Sequence, residues 1–262
     1  MRIALGVVTC NRPEFAEKCI KAIVRHEPPI DALYVHDDGS DARHHGAYAR
    51  AFRPLDRYKP TAWLHHDEMN RGVAVAKNVL LRRMLDDEAD WLFLIEDDIR
   101  ITSPEVIDGY IDAAVDHNLH HLSFAHHGPA NQAVPGVTDG SVTYYPHAIG
   151  AFSLYSAISL QTVGLFDEGF RNAWEHVEHS TRLALAGFTT GPYRWADATD
   201  SRHWLAEMPN SFGHSAIRND PTWQHNMASG LAHWRDSRPD SFDAMFGPDA
   251  PMHDYAQGVL NV

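Results

Sequence analysis

Three adjacent carboxylates, Glu96-Asp97-Asp98, directly follow the apolar run Leu92-Phe93-Leu94-Ile95. Like charges crowded at the tip of a buried strand repel one another, and a divalent cation or a ligand hydroxyl is the readiest way to offset them. The segment therefore reads as a metal-site candidate; the plainer alternative is a solvated turn whose acids cap the next helix. Three more polar clusters follow apolar runs in the same way: Thr9-Cys10-Asn11-Arg12, Asp37-Asp38-Gly39-Ser40 and Asn70-Arg71-Gly72. Taken alone, Asp37–Ser40 is equally well a turn and helix cap, because Asp, Gly and Ser are turn residues. In an open α/β sheet the ligand sits beyond the carboxyl ends of the strands, and parallel strands put all four clusters on that one rim.

The elements that must hold those clusters alternate in type. Apolar runs predict strands at Ile3–Val8, Ala32–His36, Thr61–His65, Trp91–Ile95 and His121–Phe124. Helical patterns lie between them at Pro13–Arg25, Asp41–Phe52, Val73–Leu85 and Pro104–His117. Strand–helix alternation implies an α/β fold with a mainly parallel central sheet and helices on both faces. After Ala125 the Gly, Pro, His, Ser and Tyr content predicts a hairpin or long surface loop to about Pro146. Regular structure is expected again at Ala148–Tyr155, in a helix at Trp174–Ala186 closed by Gly187, and in a strand at Phe188–Trp195. The last 50 residues, rich in His, Asp, Trp and Pro, read as a lid or wrapping segment.

Composition narrows the function classes. The chain has 262 residues and a formal net charge of −13, from 22 Lys+Arg against 35 Asp+Glu. That balance disfavours bulk attraction to a polyanion, although Arg43, Arg50, Arg53, Arg57 and Lys59 can form a local basic strip. Two cysteines, Cys10 and Cys19, suit a reducing cytoplasm better than a disulfide scaffold, and both are expected to be free thiols. The Ile3–Val8 run is too short for a signal peptide and lacks a cleavage pattern. The longest uncharged stretch, about residues 140–166, holds Pro146, His147 and several Ser, Thr and Gln, so no membrane span is expected.

The motifs together resemble the GT-A glycosyltransferases, and most nearly the large family 2 of inverting enzymes. The resembling segments are Val7–Pro13, Asp37–Ser40, Asn70–Asn78, Phe93–Asp98, and Val163–Glu168 leading to Trp174-Glu175-His176-Val177-Glu178. They stand in the family's order over about residues 3–190. The resemblance implies a GT-A fold whose residues 1–125 bind a nucleotide, 126–200 hold the acceptor and catalytic groups, and 201–262 form the lid. It implies that Thr9, Asn11, Arg12, Asp37 and Asp38 surround the nucleoside, and that Gly72 and Lys77 lie near the ribose and diphosphate. Glu96-Asp97-Asp98 is similar to the DxD motif, with Glu96 in the usual place of Asp. By that likeness Glu96 reaches the ribose, Asp97 belongs to the same donor site, and Asp98 ligates a divalent metal on the diphosphate. Hard oxygen ligands imply Mg²⁺ or Mn²⁺, and a histidine in the shell favours Mn²⁺. For that histidine the resemblance points to His214 first and His203 second. Family members carry Glu-Asp where this chain has Glu175-His176, and the Asp is their general base. Imidazole can serve as base here, oriented by Glu175 or Glu178; alternatively Glu175 contacts the acceptor sugar and deprotonation occurs otherwise. The implied reaction moves a sugar from a nucleotide diphosphate donor, UDP by resemblance, to a hydroxyl of a glycan, protein or modified nucleic acid, with inversion.

Other readings of the same residues are weaker. His176-Val177-Glu178-His179 matches neither H-E-x-x-H nor H-x-x-E-H, and adjacent histidines such as His65-His66 point to opposite faces of a strand, so zinc hydrolysis is a minor option. A sugar-phosphate nucleotidyltransferase would carry a glycine-rich loop after the first strand, where this chain has Thr-Cys-Asn-Arg-Pro. A non-catalytic nucleotide- or sugar-binding relative would use Trp174, Trp195, Trp204, Trp223 and Trp234 as stacking platforms, but it leaves the acidic trio unexplained.

Overall fold

Every residue of Ile3–Thr9 is buried, as is every residue of Ala32–Asp37, a pattern produced by strands covered on both faces. The computed structural model describes residues 1–59, 61–215 and 217–260. The chain begins β1 (Ile3–Thr9), α1 (Pro13–His26), β2 (Ala32–Asp37), α2 (His45–Ala51), β3 (Thr61–His66), α3 (Val73–Asp86) and β4 (Trp91–Glu96). It continues with β5 (Ile99–Ile101), α4 (Val106–Asp116), β6 (His121–Ser123), β7 (Val137–Asp139), β8 (Val142–Tyr145) and β9 (Phe152–Ser156). Next come α5 (Ala157–Val163), α6 (Glu175–Leu185), β10 (Trp195–Ala198), α7 (Ser201–Trp204) and β11 (Leu205–Glu207). Three helices finish it: α8 (Trp223–Ser237), α9 (Pro239–Phe246) and α10 (His253–Leu260).

Among the described residues the main sheet has the order β3-β2-β1-β4-β9-β6. β3, β2, β1 and β4 are parallel, and β9 is inserted antiparallel between β4 and β6. Alternation along the strands divides the core into two layers. Leu5, Val7, Leu33, Val35, Phe93 and Ile95 pack in one cluster with Ile20 and Ile23 of α1 and Tyr110 of α4. Ala4, Val8, Ala32, Tyr34, Leu92 and Leu94 pack in the other with Leu80, Leu81 and Met84 of α3. A third cluster gathers Phe170, Trp195, Leu231, Trp234, Phe242 and Phe246, and so fastens α8 and α9 to the main body.

The expected strands and helices of the first 125 residues are present with ends shifted by one or two residues, with one exception. Asp41–Phe52 is split into a 3₁₀ turn at Ala42–His44 and the short α2, where Gly46 and the paired histidines weaken helix propensity. The expected strand at Phe188–Trp195 is corrected: it is a turn-bearing loop around Gly191-Pro192, and the strand is β10. The region expected as hairpin or loop contains the β7–β8 pair. Cys10 and Cys19 are free. Among the described residues no helix is long and apolar enough to cross a membrane.

Candidate functional site

A cavity of about 900 Å³ lies beyond the carboxyl ends of β1, β2 and β4. Strand register sets its floor, with Val8 beside Glu96 and Thr9 beside Asp37. Thr9, Asn11, Arg12, Asp38, Glu96 and Asp98 line it, and Glu175 and His176 close one side. Asp37, Gly72, Lys77 and Asp97, also expected at the nucleotide, stand outside this lining.

The acidic trio does not converge on one point, which corrects the reading of three carboxylates gathered around a cation. Asp97 is fully buried, ion-paired to Arg12 Nη2, and accepts a 2.6 Å hydrogen bond from Thr9 Oγ1. Asp98 faces the cavity and takes Arg12 Nη1 at 3.0 Å. Glu96 binds Lys77 Nζ at 2.8 Å. Arginine and lysine therefore offset much of the charge that the sequence reading assigned to a divalent cation or a ligand hydroxyl. Burial and the adjacent Asp98 push the Asp97 carboxyl upward, against Arg12. Asp98 is lowered instead, because His127 and Arg12 outweigh its burial.

Asp98 is the member of the trio equipped for a cation. Its Oδ1 is buried with no hydrogen-bond partner, and so is His127 Nε2. His127 Nε2 sits 3.5 Å from Asp98 Oδ2 and 3.7 Å from Glu207 Oε1. Those separations are long for hydrogen bonds, and the Asp98–His127 pair is near the roughly 3–3.5 Å between donors that share one cation with bonds of about 2.1 Å. Asp98 and His127 bring a carboxylate and an imidazole to one edge of the cavity, a donor pair that fits Mn²⁺, with Glu207 standing behind His127 and hydrogen-bonded to Gly128 N–H and Ser211 Oγ. Without a cation, Asp98 raises the pKa of His127 despite its burial.

The structure does not bring the two expected histidines to this point. His203 is 80% exposed and faces Asp200 at 3.4 Å. His214 is exposed, with its ring 6.0 Å from that of Phe15. His127 and Glu207 were missed, yet a signal existed: His126-His127 follows the strand His121–Ser123, so the rule applied to the other strand ends would have included it.

The second and third polar clusters hold each other in place. Asp38 is buried and accepts from the backbone N–H groups of Arg71 and Gly72 at 2.9 and 3.0 Å. It thereby fixes the turn ahead of α3, where Asn172 Oδ1 accepts from Val73 N. Gly39, at φ +64°, makes this approach possible, since a Cβ there would lie 2.1 Å from the Met69 carbonyl carbon. Asp37 accepts from Ser40 through Oδ1 and faces His66 Nδ1 at 3.0 Å through Oδ2. Asn11, whose N–H donates to Ser40 Oγ, is held by the same turn.

Lys77 links the two sides of the cavity. Its side chain is almost wholly buried, and its Nζ reaches Glu96 Oε1 at 2.8 Å, the Gly150 carbonyl at 3.0 Å and Glu175 Oε1 at 3.7 Å. Burial alone would lower the lysine pKa, and the two carboxylates raise it instead. Glu175 opens α6 and is lowered to about 2, since His176 and Lys77 outweigh its burial. His176 Nδ1 faces Glu175 Oε1 at 3.2 Å. The ring lies over Gly150, where a Cβ would come within 2.7 Å of the imidazole. Trp174, just before α6, has φ +69°, an uncommon conformation for a residue with a side chain. Its Nε1 donates to the Met227 carbonyl and its ring packs on Phe246, so α8 and α9 hold the turn that aims Glu175 and His176.

No family model matches the chain, and no curated protein matches it in sequence. Solved structures do match in fold. The mannosyltransferase PcManGT from Pyrobaculum calidifontis, in complex with GDP-Man and Mn²⁺, superposes with a TM-score of 0.66 at 15% identity, covering 99% of this chain and 72% of that one. S. aureus TarS 1-349 gives 0.58 at 15% identity, with 99% and 80% covered. GalNAc-T7 with UDP, GalNAc and Mn²⁺ gives 0.63 at 11% identity, covering 98% of this chain and 53% of that one. The chain has the GT-A fold of these glycosyltransferases.

Proposed function

We propose that this protein is a nucleotide-sugar glycosyltransferase, dependent on a divalent cation, that uses the cavity above β1, β2 and β4 for its donor and for an acceptor hydroxyl. One observation carries the reading: Asp98, with a buried and unpartnered carboxylate oxygen, and His176, backed by a buried carboxylate, line the same cavity. The GT-A fold, shared with proteins solved with GDP-Man or UDP and Mn²⁺, supports a nucleotide diphosphate in the donor position.

In this reading Thr9, Asn11 and Arg12 border the nucleoside, and Asp38 holds the Asn70–Gly72 turn against it. Asp98 and His127 would hold the cation, which when bound supplies Lewis-acid stabilisation of the departing diphosphate. Arg12 and Lys77 hold the Asp98 and Glu96 side chains in place. His176 accepts the acceptor hydroxyl proton at Nε2, while its Nδ1–H donates a hydrogen bond to Glu175, whose carboxylate stabilises the imidazolium. The bond from the sugar C1 to the diphosphate breaks as the bond from C1 to the acceptor oxygen forms. The proton passes through His176 to solvent, and a single in-line displacement inverts the anomeric centre. Trp174, Trp223, Met227, Met252 and Tyr255 make part of the cavity wall aromatic and sulfur-rich, a surface suited to stacking on a sugar ring. That wall favours a glycan-bearing acceptor.

The test is a donor screen without acceptor, scoring release of nucleoside diphosphate from UDP- and GDP-sugars in the presence of Mn²⁺. One donor is expected to be hydrolysed slowly and in a Mn²⁺-dependent manner. If no donor releases nucleoside diphosphate even with simple glycosides added as acceptors, the assignment is wrong.

A further inference from the structure

A second cluster of ligand-type side chains lies at the free edge of the main sheet and takes no part in the chemistry above. His36 on β2 and His65 on β3 are paired in register across the two parallel strands, so their rings lie side by side, stacked at 5.3 Å with 10° between planes. Asp67 follows β3 directly. His65 Nε2 is 2.9 Å from Asp67 Oδ1, and His36 Nε2 is 3.5 Å from Asp67 Oδ2. One ligand atom from each of the three residues falls within a 4.8 Å group.

The second observation concerns His36 itself. Its side chain is 0% exposed, and neither ring nitrogen has a hydrogen-bond partner. An imidazole fully removed from water without a partner carries an uncompensated desolvation cost. Native proteins seldom leave such a group unexplained, and an ion or an ordered water is the usual resolution.

We propose that His36, His65 and Asp67 form a binding site for a transition-metal cation of the Zn²⁺ type, separate from the Asp98 site. Two imidazoles and one carboxylate are a borderline-soft donor set that suits Zn²⁺, Co²⁺ or Ni²⁺, whereas the Asp98 group is richer in oxygen. Tetrahedral Zn²⁺ with bonds of about 2.0–2.1 Å places its ligand atoms roughly 3.3 Å apart, so the three groups, now within 4.8 Å of one another, would close on the ion by side-chain rotation. Trp63, stacked on His65 at 5.2 Å and 7°, already orients that ring. Arg71 Nε, 3.0 Å from Asp67 Oδ2, is the competing cation. Its side chain is 46% exposed and can swing into solvent when the metal enters. The site has a structural role: Asp67 N–H donates to the Asp37 carbonyl, so a metal here would fasten edge strand β3 to the Asp37–Ser40 turn.

The probe is Zn²⁺ by calorimetry, with Co²⁺ absorption as a second readout, on the full chain without nucleotide. One equivalent of Zn²⁺ is expected to bind wild-type protein and Asp98→Ala alike, and to raise the unfolding temperature of both. His65→Ala and Asp67→Asn, both at positions with solvent access, should weaken uptake at least tenfold while circular dichroism stays native. If either variant fails to fold, crystals of the wild type soaked in Zn²⁺ decide the matter through the anomalous peak, expected between the three side chains. The proposal is overturned by a peak elsewhere, by no stoichiometric uptake, or by uptake lost in Asp98→Ala and kept in His65→Ala. An ordered water on His36 with no metal signal would overturn it equally. None of these outcomes bears on sugar transfer.

Discussion

Asp98→Ala is expected to reduce sugar transfer by about 10³-fold or more while leaving the protein folded. The cation that Asp98 would hold supplies several kcal/mol of charge stabilisation to the leaving diphosphate, and each 1.4 kcal/mol is a factor of ten in rate. The side chain borders the cavity, and its removal leaves Arg12 paired to Asp97, so the loss should be functional rather than structural. Asp97→Ala makes the contrast. It removes one of the two buried carboxylates paired to Arg12 and one of the two hydrogen-bond partners of Thr9 Oγ1, so its main effect should be destabilisation, of up to the about 3–5 kcal/mol found when a buried ion pair loses one member. Steady-state rates and denaturant titrations on the two variants separate the roles. Near-wild-type turnover by Asp98→Ala would remove Asp98 from the chemistry.

His176→Ala should lower kcat by about 10²–10⁴-fold, the usual contribution of a positioned general base, with a small change in donor KM. Glu175→Gln should give a partial loss, since Gln still accepts a hydrogen bond from Nδ1 but no longer stabilises a cationic ring. A loss confined to acceptor KM would make His176 a positioning residue. His176 stands where the family 2 pattern that this sequence resembles has aspartate, and it has a carboxylate 3.2 Å from Nδ1 and a glycine beneath the ring.

Much of the fold was legible because α/β order is written in local periodicity. The runs that became β1, β2 and β4 are apolar on both faces, and Pro13 and Gly72 mark helix starts. What periodicity does not encode is strand order and direction. The antiparallel β9, inserted between β4 and β6, depends on contacts across the chain. The site was legible to the same extent. Strand-end position found Thr9, Arg12, Asp38, Glu96 and Asp98, but it could not tell which way each carboxylate turns. Asp97 points inward to Arg12, and Glu96 turns to a lysine one helix away, because those cations were already placed by α1 and α3. The paired histidines show the reverse error: His65 and His66 cannot chelate together, yet His65 stands beside His36 across the strands, a relation visible only once β2–β3 pairing is known.

The most direct test of the central claim is calorimetric titration of UDP, and in parallel GDP, into the wild-type protein with Mn²⁺ and with chelator. Mn²⁺ is expected to tighten binding of one of the two at least tenfold, and Asp98→Ala to abolish this gain. Equal affinity with and without Mn²⁺, or uptake of neither nucleotide, would contradict it.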